Sequence, residues 1–177
     1  MNIANRITIL RILLVPFFIG SIIYYRSESR LLSILPLAIF FTAMLTDVVD
    51  GFIARRFNQK TELGTILDPI ADKVLIITAF ICLSVSKSIP SHLQLPAWVP
   101  IIIISRDIII VIGSVVIHLI KGDIELIPSV WGKATTFFQM TTVLSVLLMF
   151  RYSFIIWNIA VALTIFSGID YMIKGSR

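Results

Sequence analysis

The chain has 177 residues, of which 58% are hydrophobic and only 14% charged, and its formal net charge is +5. A mean hydropathy of +0.99 excludes an ordinary water-soluble globule and indicates an all-α integral membrane protein, with residues 1–177 expected to form one six-helix transmembrane domain. The excess of Lys and Arg is read as membrane orientation and contact with anionic headgroups or phosphorylated substrates, not as a nucleic-acid surface.

Six apolar segments are expected to cross a bilayer, at residues 7–25, 31–49, 70–85, 97–120, 135–150 and 153–173. The first has Arg6 and Arg11 ahead of an apolar run, as a signal peptide does. No small-x-small cleavage site precedes a hydrophilic domain, so a retained helix is expected. The third and fifth segments are short and should extend into their flanks. Pro and small polar residues between Ser86 and Pro96 mark the connection between segments three and four. Cys82 is the single cysteine, which excludes an intrachain disulfide and makes it a packing residue.

Six spans put both termini and the second and fourth connections on one side. That side holds Arg6, Arg55, Arg56, Lys60, Lys121, Lys133, Lys174 and Arg177, against Arg26, Arg30, Lys87 and Arg151 on the other. The basic side should face the cytoplasm of a cell (inner) membrane. Trp98, Trp131 and Trp157 lie near span ends, where an aromatic belt is expected. His92 and His118 lack metal-ligand spacing and read as interface residues.

Residues 46–74 read TDVVDGFIARRFNQKTELGTILDPIADKV and gather Asp47, Asp50, Asp68 and Asp72. Asp47 and Asp50 lie at i and i+3 at the end of span two, and Asp68 and Asp72 at i and i+4 at the start of span three. Each pair therefore shares a helical face. Pro69 suits a first helical turn. Two like charges ~4 Å apart repel by about 4 kcal/mol at an effective dielectric near 20, so four unscreened carboxylates would not stay together. Two divalent cations supply the missing charge. With no His or Cys in the window, the all-oxygen donor set favours Mg²⁺ or Mn²⁺ over Zn²⁺, and a pair of such ions suits phosphoryl chemistry. Gly51, Ala54 and Gly64 then provide clearance for a nucleotide, and Arg55 can meet a phosphate or brace an aspartate. Tight helix packing and headgroup anchoring are the bland explanation of the same small and basic residues.

The window has the form D-x2-D-G-x2-A-R-x8-G-x3-D-x3-D, filled by Asp47, Asp50, Gly51, Ala54, Arg55, Gly64, Asp68 and Asp72. It resembles the signature of the CDP-alcohol phosphatidyltransferases. The resemblance implies that the four aspartates hold two metal ions and that Gly51, Ala54, Arg55 and Gly64 border the CDP moiety. It also implies that Asp72 is the general base for an attacking hydroxyl, and that the protein is a homodimer. The opening MNIANRITILRILLVPFFI and the ending SGIDYMIKG resemble the bacterial phosphatidylglycerophosphate synthases within that family. By this likeness Asn5, Thr8 and Arg11 turn toward the nucleotide, and the phosphatidyl group of CDP-diacylglycerol passes to the 1-hydroxyl of glycerol 3-phosphate.

That acceptor is a dianion and needs cations beyond the metals. Arg106 stands well inside span four, an expensive place for a charge, and Lys133 opens span five. Arg106, Lys133 and Lys60 are the expected acceptor-phosphate residues. Asp107 follows Arg106 directly, and neighbours on a helix point in different directions, so it is not the expected partner of Arg106. A structural ion pair for Arg106 and a snorkelling interface position for Lys133 are the competing explanations. Ser105-Arg106-Asp107 is similar to the cardiolipin synthases of the family, whose acceptor is phosphatidylglycerol, and that acceptor stays open. A cation transporter is the remaining alternative. Its carboxylates would more usually lie at the bilayer midplane than at one edge.

Overall fold

A computed structural model describes the chain at residues 3–25, 29–56, 62–121 and 130–175, and the side chains of 9–25, 29, 31–46, 71, 73–113 and 130–173. The described residues form six helices: α1 (Ile3–Ile23), α2 (Arg30–Arg56), α3 (Glu62–Val85), α4 (Trp98–Lys121), α5 (Val130–Leu147) and α6 (Ser153–Gly175). Each expected apolar segment lies within or overlaps one of them. The third and fifth do run into their flanks, α3 by starting at Glu62 and α5 at Val130. Pro69 consequently stands about two turns inside α3 and not in its first turn.

Among the described residues one helical stretch, Ser153–Ile173, is long and apolar enough to cross a membrane, and Ile9–Ile23, Leu31–Thr46 and Lys73–Val85 are shorter apolar stretches. Apolar side chains also face outward along the helices, among them Phe17, Ile101, Val111, Phe137 and Phe166. Their spread over several helices is what a lipid-facing surface requires, whereas a soluble protein would hide most of them.

Short connections make consecutive helices run in alternate directions. Helix α1 packs against α2 and α3, α6 against α4 and α5, and α3 also meets α4 and α5. The apolar core of the described side chains draws on all six helices. Phe18 and Ile22 of α1, Phe40 and Ala43 of α2, Ala79, Phe80 and Leu83 of α3, and Val99 and Ile103 of α4 belong to it. So do Val143 and Val146 of α5 and Trp157 and Val161 of α6. Trp157 is therefore a core residue, which corrects its expected place in an aromatic belt. Trp98 and Trp131 are exposed near helix starts, as expected.

The connection 86–97 folds back onto α3. Leu93 and Leu95 are buried, Leu95 N donates to Leu83 O, and Gln94 Nε2 donates to Ser84 O at 2.9 Å. These bonds occupy carbonyls that the last turn of α3 would otherwise leave open. Exposed His92 sits on this connection. Hydroxyls inside the helices satisfy themselves on the preceding turn, as Thr142 does on Phe138 O and Thr164 on Ala160 O.

Candidate active site

Asp47 and Asp50 fall in the last turns of α2, and Asp68 and Asp72 in the early turns of α3. Both pairs sit on uninterrupted helical backbone. Residues 57–61 lie between the two helices in sequence. Both helices pack on α1, whose Arg11 is 1% exposed. Residues 46–74 offer four aspartates and no His or Cys, a donor set whose chemistry fits a pair of hard divalent cations. Among the described side chains no group of three or more His, Cys, Asp or Glu comes together.

The side chains of Asp47, Asp50, Asp68, Asp72, Asn5, Thr8, Gly51, Ala54, Arg55 and Gly64 lie outside the described residues, as does the whole of Lys60. Their backbone positions, Lys60 excepted, are helical: Asn5 and Thr8 on α1, Gly51, Ala54 and Arg55 on α2, and Gly64 on α3. The side chain of His118 is likewise outside the described set.

Next to this window the described side chains form a charged chain across three helices. Lys73 of α3 follows Asp72 directly, and its Nζ donates to Asp107 Oδ2 of α4 at 2.5 Å. Asp107 Oδ1 accepts from Arg106 Nη1 at 2.9 Å. Arg106 Nη2 in turn donates to Ser167 Oγ of α6 at 2.5 Å. The pairing of Arg106 with Asp107 corrects the sequence expectation. Adjacent residues do start about 100° apart on a helix. The Arg side chain is long enough to turn back along α4 and reach its neighbour's carboxylate.

The slot that receives Arg106 is built from small residues. A Cβ added at Gly168 of α6 would lie 3.5 Å from Arg106 Cγ, and one at Gly132 of α5 3.6 Å from its Nη2. The guanidinium thus threads between α5 and α6. The start of α5 is fixed there by the edge-to-face contact of Trp131 with Phe166, at 4.7 Å between ring centroids, and by Thr135 Oγ1 donating to Leu163 O at 3.2 Å. Where α4 meets α6, a Cβ at Gly113 of α4 would approach Tyr171 of α6 to 3.2 Å, so close approach of these two helices depends on that glycine.

The Arg106 side chain is 12% exposed and that of Asp107 9%, against 36% for Lys73. Burying an Arg–Asp pair costs desolvation that only good geometry and further hydrogen bonds offset. Here Asp107 receives two cationic donors and Arg106 has a hydroxyl besides. Arg106 Nε is buried without a hydrogen-bond partner. Two cations and one anion leave the group with one net positive charge, a feature suited to receiving an anion. Lys133 sits on α5 one residue beyond Gly132, exposed, and makes no described contact with Arg106.

Sequence reasoning gave Lys73, Asp107 and Ser167 no part in the site. Lys73 carried a usable signal in its position directly after the last aspartate of the window. Ser167 carried none beyond lying in the SGIDYMIKG ending.

Comparison with known proteins adds an independent line. The family model described as CDP-alcohol phosphatidyltransferase matches residues 1–166. The chain is 37% identical over 185 residues to the CDP-diacylglycerol–glycerol-3-phosphate 3-phosphatidyltransferase of Aquifex aeolicus, with 100% of this chain and 97% of that protein covered. It is 36% identical over 184 residues to the protein of the same name in Haemophilus influenzae, covering 99% and 95%. A probable phosphatidylglycerophosphate synthase of Mycobacterium tuberculosis is 34% identical over 182 residues, covering 99% of this chain and 82% of that protein.

Proposed function

This chain belongs to the CDP-alcohol phosphatidyltransferase family, and from that membership we infer that it transfers the phosphatidyl group of CDP-diacylglycerol to the 1-hydroxyl of glycerol 3-phosphate. The products are phosphatidylglycerophosphate and CMP, and the reaction is a step of phospholipid biosynthesis. The observation that carries the reading is that relatives named for this reaction in Aquifex and Haemophilus align along nearly the full length of both chains.

In the proposed mechanism Asp47, Asp50, Asp68 and Asp72 hold two divalent cations, Mg²⁺ or Mn²⁺. Bound there, such ions supply positive charge to a pyrophosphate and make a nearby hydroxyl easier to deprotonate. The residues of the chain divide the remaining work. Gly51, Ala54 and Gly64 leave room for the CDP moiety, and Arg55, Asn5 and Thr8 offer it hydrogen bonds. Asp72 takes the proton of the acceptor's 1-hydroxyl as that oxygen attacks the diacylglycerol-side phosphorus. The bond from this phosphorus to the bridging oxygen breaks, and CMP leaves with the bridging oxygen. Arg106, Lys133 and Lys60 receive the acceptor's own phosphate. The net positive charge of the Lys73–Asp107–Arg106 group, fastened beside Asp72, supports that assignment.

All six helices cross the membrane in this reading, with both termini and the site on the cytoplasmic face of the cell (inner) membrane. CDP-diacylglycerol enters from the bilayer, and two copies of the chain form a homodimer. The test is turnover by purified protein in detergent or proteoliposomes, with CDP-diacylglycerol and either labelled glycerol 3-phosphate or labelled phosphatidylglycerol. Label should appear in phosphatidylglycerophosphate. Cardiolipin formed only from phosphatidylglycerol would replace the acceptor, in line with the Ser105-Arg106-Asp107 sequence, and leave the rest of the chemistry in place.

A further inference from the structure

Asp107 poses a problem for the acceptor site. A carboxylate beside cations that receive a dianion weakens the attraction by neutralising one of them, and it is also a like charge to the incoming phosphate. Asp107 is nonetheless 7% exposed and engages both oxygens, one on Lys73 and one on Arg106. The two cations come from different helices. Lys73 follows Asp72 on α3, and Arg106 lies on α4 with its other nitrogen held by Ser167 on α6.

We propose that Asp107 is a positioning residue for the acceptor, joining Arg106 and Lys73 into one rigid cationic unit whose place relative to Asp72 is set through α3. The inference rests on the reading that Arg106 receives the acceptor phosphate. An unrestrained arginine loses rotamer freedom when it grips a ligand, and that loss weakens binding. With Nη1 held by Asp107 and Nη2 by Ser167, the planar fork is oriented before the acceptor arrives. Each terminal nitrogen keeps a second N–H for the phosphate, and Nε keeps its only one. Lys73 transmits the register. It ties the carboxylate that orients Arg106 to the helix turn that carries Asp72, so the hydroxyl-bearing end and the phosphate-bearing end of one small acceptor are measured against each other.

The opposing possibility makes the opposite prediction. If Asp107 only neutralised charge, removing its charge would strengthen attraction for the acceptor. The experiment is steady-state kinetics of Asp107→Asn and Ser167→Ala in proteoliposomes. The acceptor is whichever the wild type turns over, glycerol 3-phosphate on the reading above and phosphatidylglycerol otherwise, so failure of that reading is seen in the wild type alone. Losing an oriented, charge-assisted contact should raise the acceptor KM about tenfold in Asp107→Asn. Ser167→Ala should raise it less, and the KM for CDP-diacylglycerol should stay put in both. A merely structural role would move both KM values together, whereas the proposal confines the change to the acceptor. Should Asp107→Asn fail to fold, Ser167→Ala carries the test through the same KM comparison. An acceptor KM that is unchanged or lower in the folded variants overturns the proposal.

Discussion

Lys73 Nζ donates to Asp107 Oδ2 at 2.5 Å, which fastens α3 to α4 one residue beyond the fourth aspartate of the window. The carboxylate is buried, and the lysine is about a third exposed, so the tie is neither a solvent-screened surface pair nor a fully dry one. Removing Asp107 would leave Arg106, itself largely buried, without its counter-ion. Breaking a fully buried pair costs about 3–5 kcal/mol, and the partial exposure of Lys73 lowers that. Asp107→Ala is therefore expected to destabilise the detergent-solubilised protein by about 2 kcal/mol. Thermal or denaturant unfolding followed by far-UV circular dichroism measures it, and a loss under about 0.5 kcal/mol would mean that the tie is not formed in solution.

Substitution inside the aspartate window should separate chemistry from folding. Asp72→Asn is expected to abolish turnover while leaving helix content and melting temperature near those of the wild type. Asp47→Asn, Asp50→Asn and Asp68→Asn should each lower kcat by about 10² or more, since each removes a charged oxygen ligand. Near-normal turnover in Asp72→Asn would remove it as the general base.

Gln139 on α5 predicts a change of the opposite sign. It is fully buried, its Nε2 reaches Thr164 Oγ1 at a long 3.4 Å, and its Oε1 has no partner. A buried acceptor left unmade is destabilising, while an apolar replacement of similar volume can be neutral or better. Thr164 keeps its own bond to Ala160 O in either case. Gln139→Leu should leave stability unchanged or raise it by about 1 kcal/mol. A clear loss in the same unfolding assay would show that Gln139 is satisfied by a group such as an ordered water.

Membrane orientation is open to cysteine labelling. With Cys82→Ser as background, Lys60→Cys and Lys87→Cys place a thiol on the second and third connections. In intact cells a membrane-impermeant maleimide should label Lys87→Cys and spare Lys60→Cys until the membrane is opened. The reverse pattern would put the aspartates on the outer face.

Much of this was legible in the sequence because long apolar runs mark helices. Each of the six apolar runs became part of a helix, and the carboxylate spacings landed on uninterrupted helical turns. The start of α3 was placed late, at Ile70, because residues 62–69 mix Glu62 and Asp68 with apolar neighbours and leave a hydropathy window before the helix itself ends. Trp157 was misassigned because closeness to a helix start does not say which face a ring takes, and its face is the core. The partner of Arg106 was missed for a related reason. Backbone spacing gives the direction of Cβ, whereas a side chain with four rotatable bonds can return to its own neighbour. Ser167 and Gly168 acquire meaning only when α6 is laid against α4.

The central claim is that the acids at the ends of α2 and α3 are gathered to hold a pair of divalent cations. Crystals of the full chain soaked with Mn²⁺ and CDP test it most directly, through anomalous scattering at the manganese edge. Two anomalous peaks within ligand distance of Asp47, Asp50, Asp68 and Asp72, both lost in Asp68→Asn, are the predicted result. Carboxylates turned away from each other, with no anomalous density between the two helices, would contradict it.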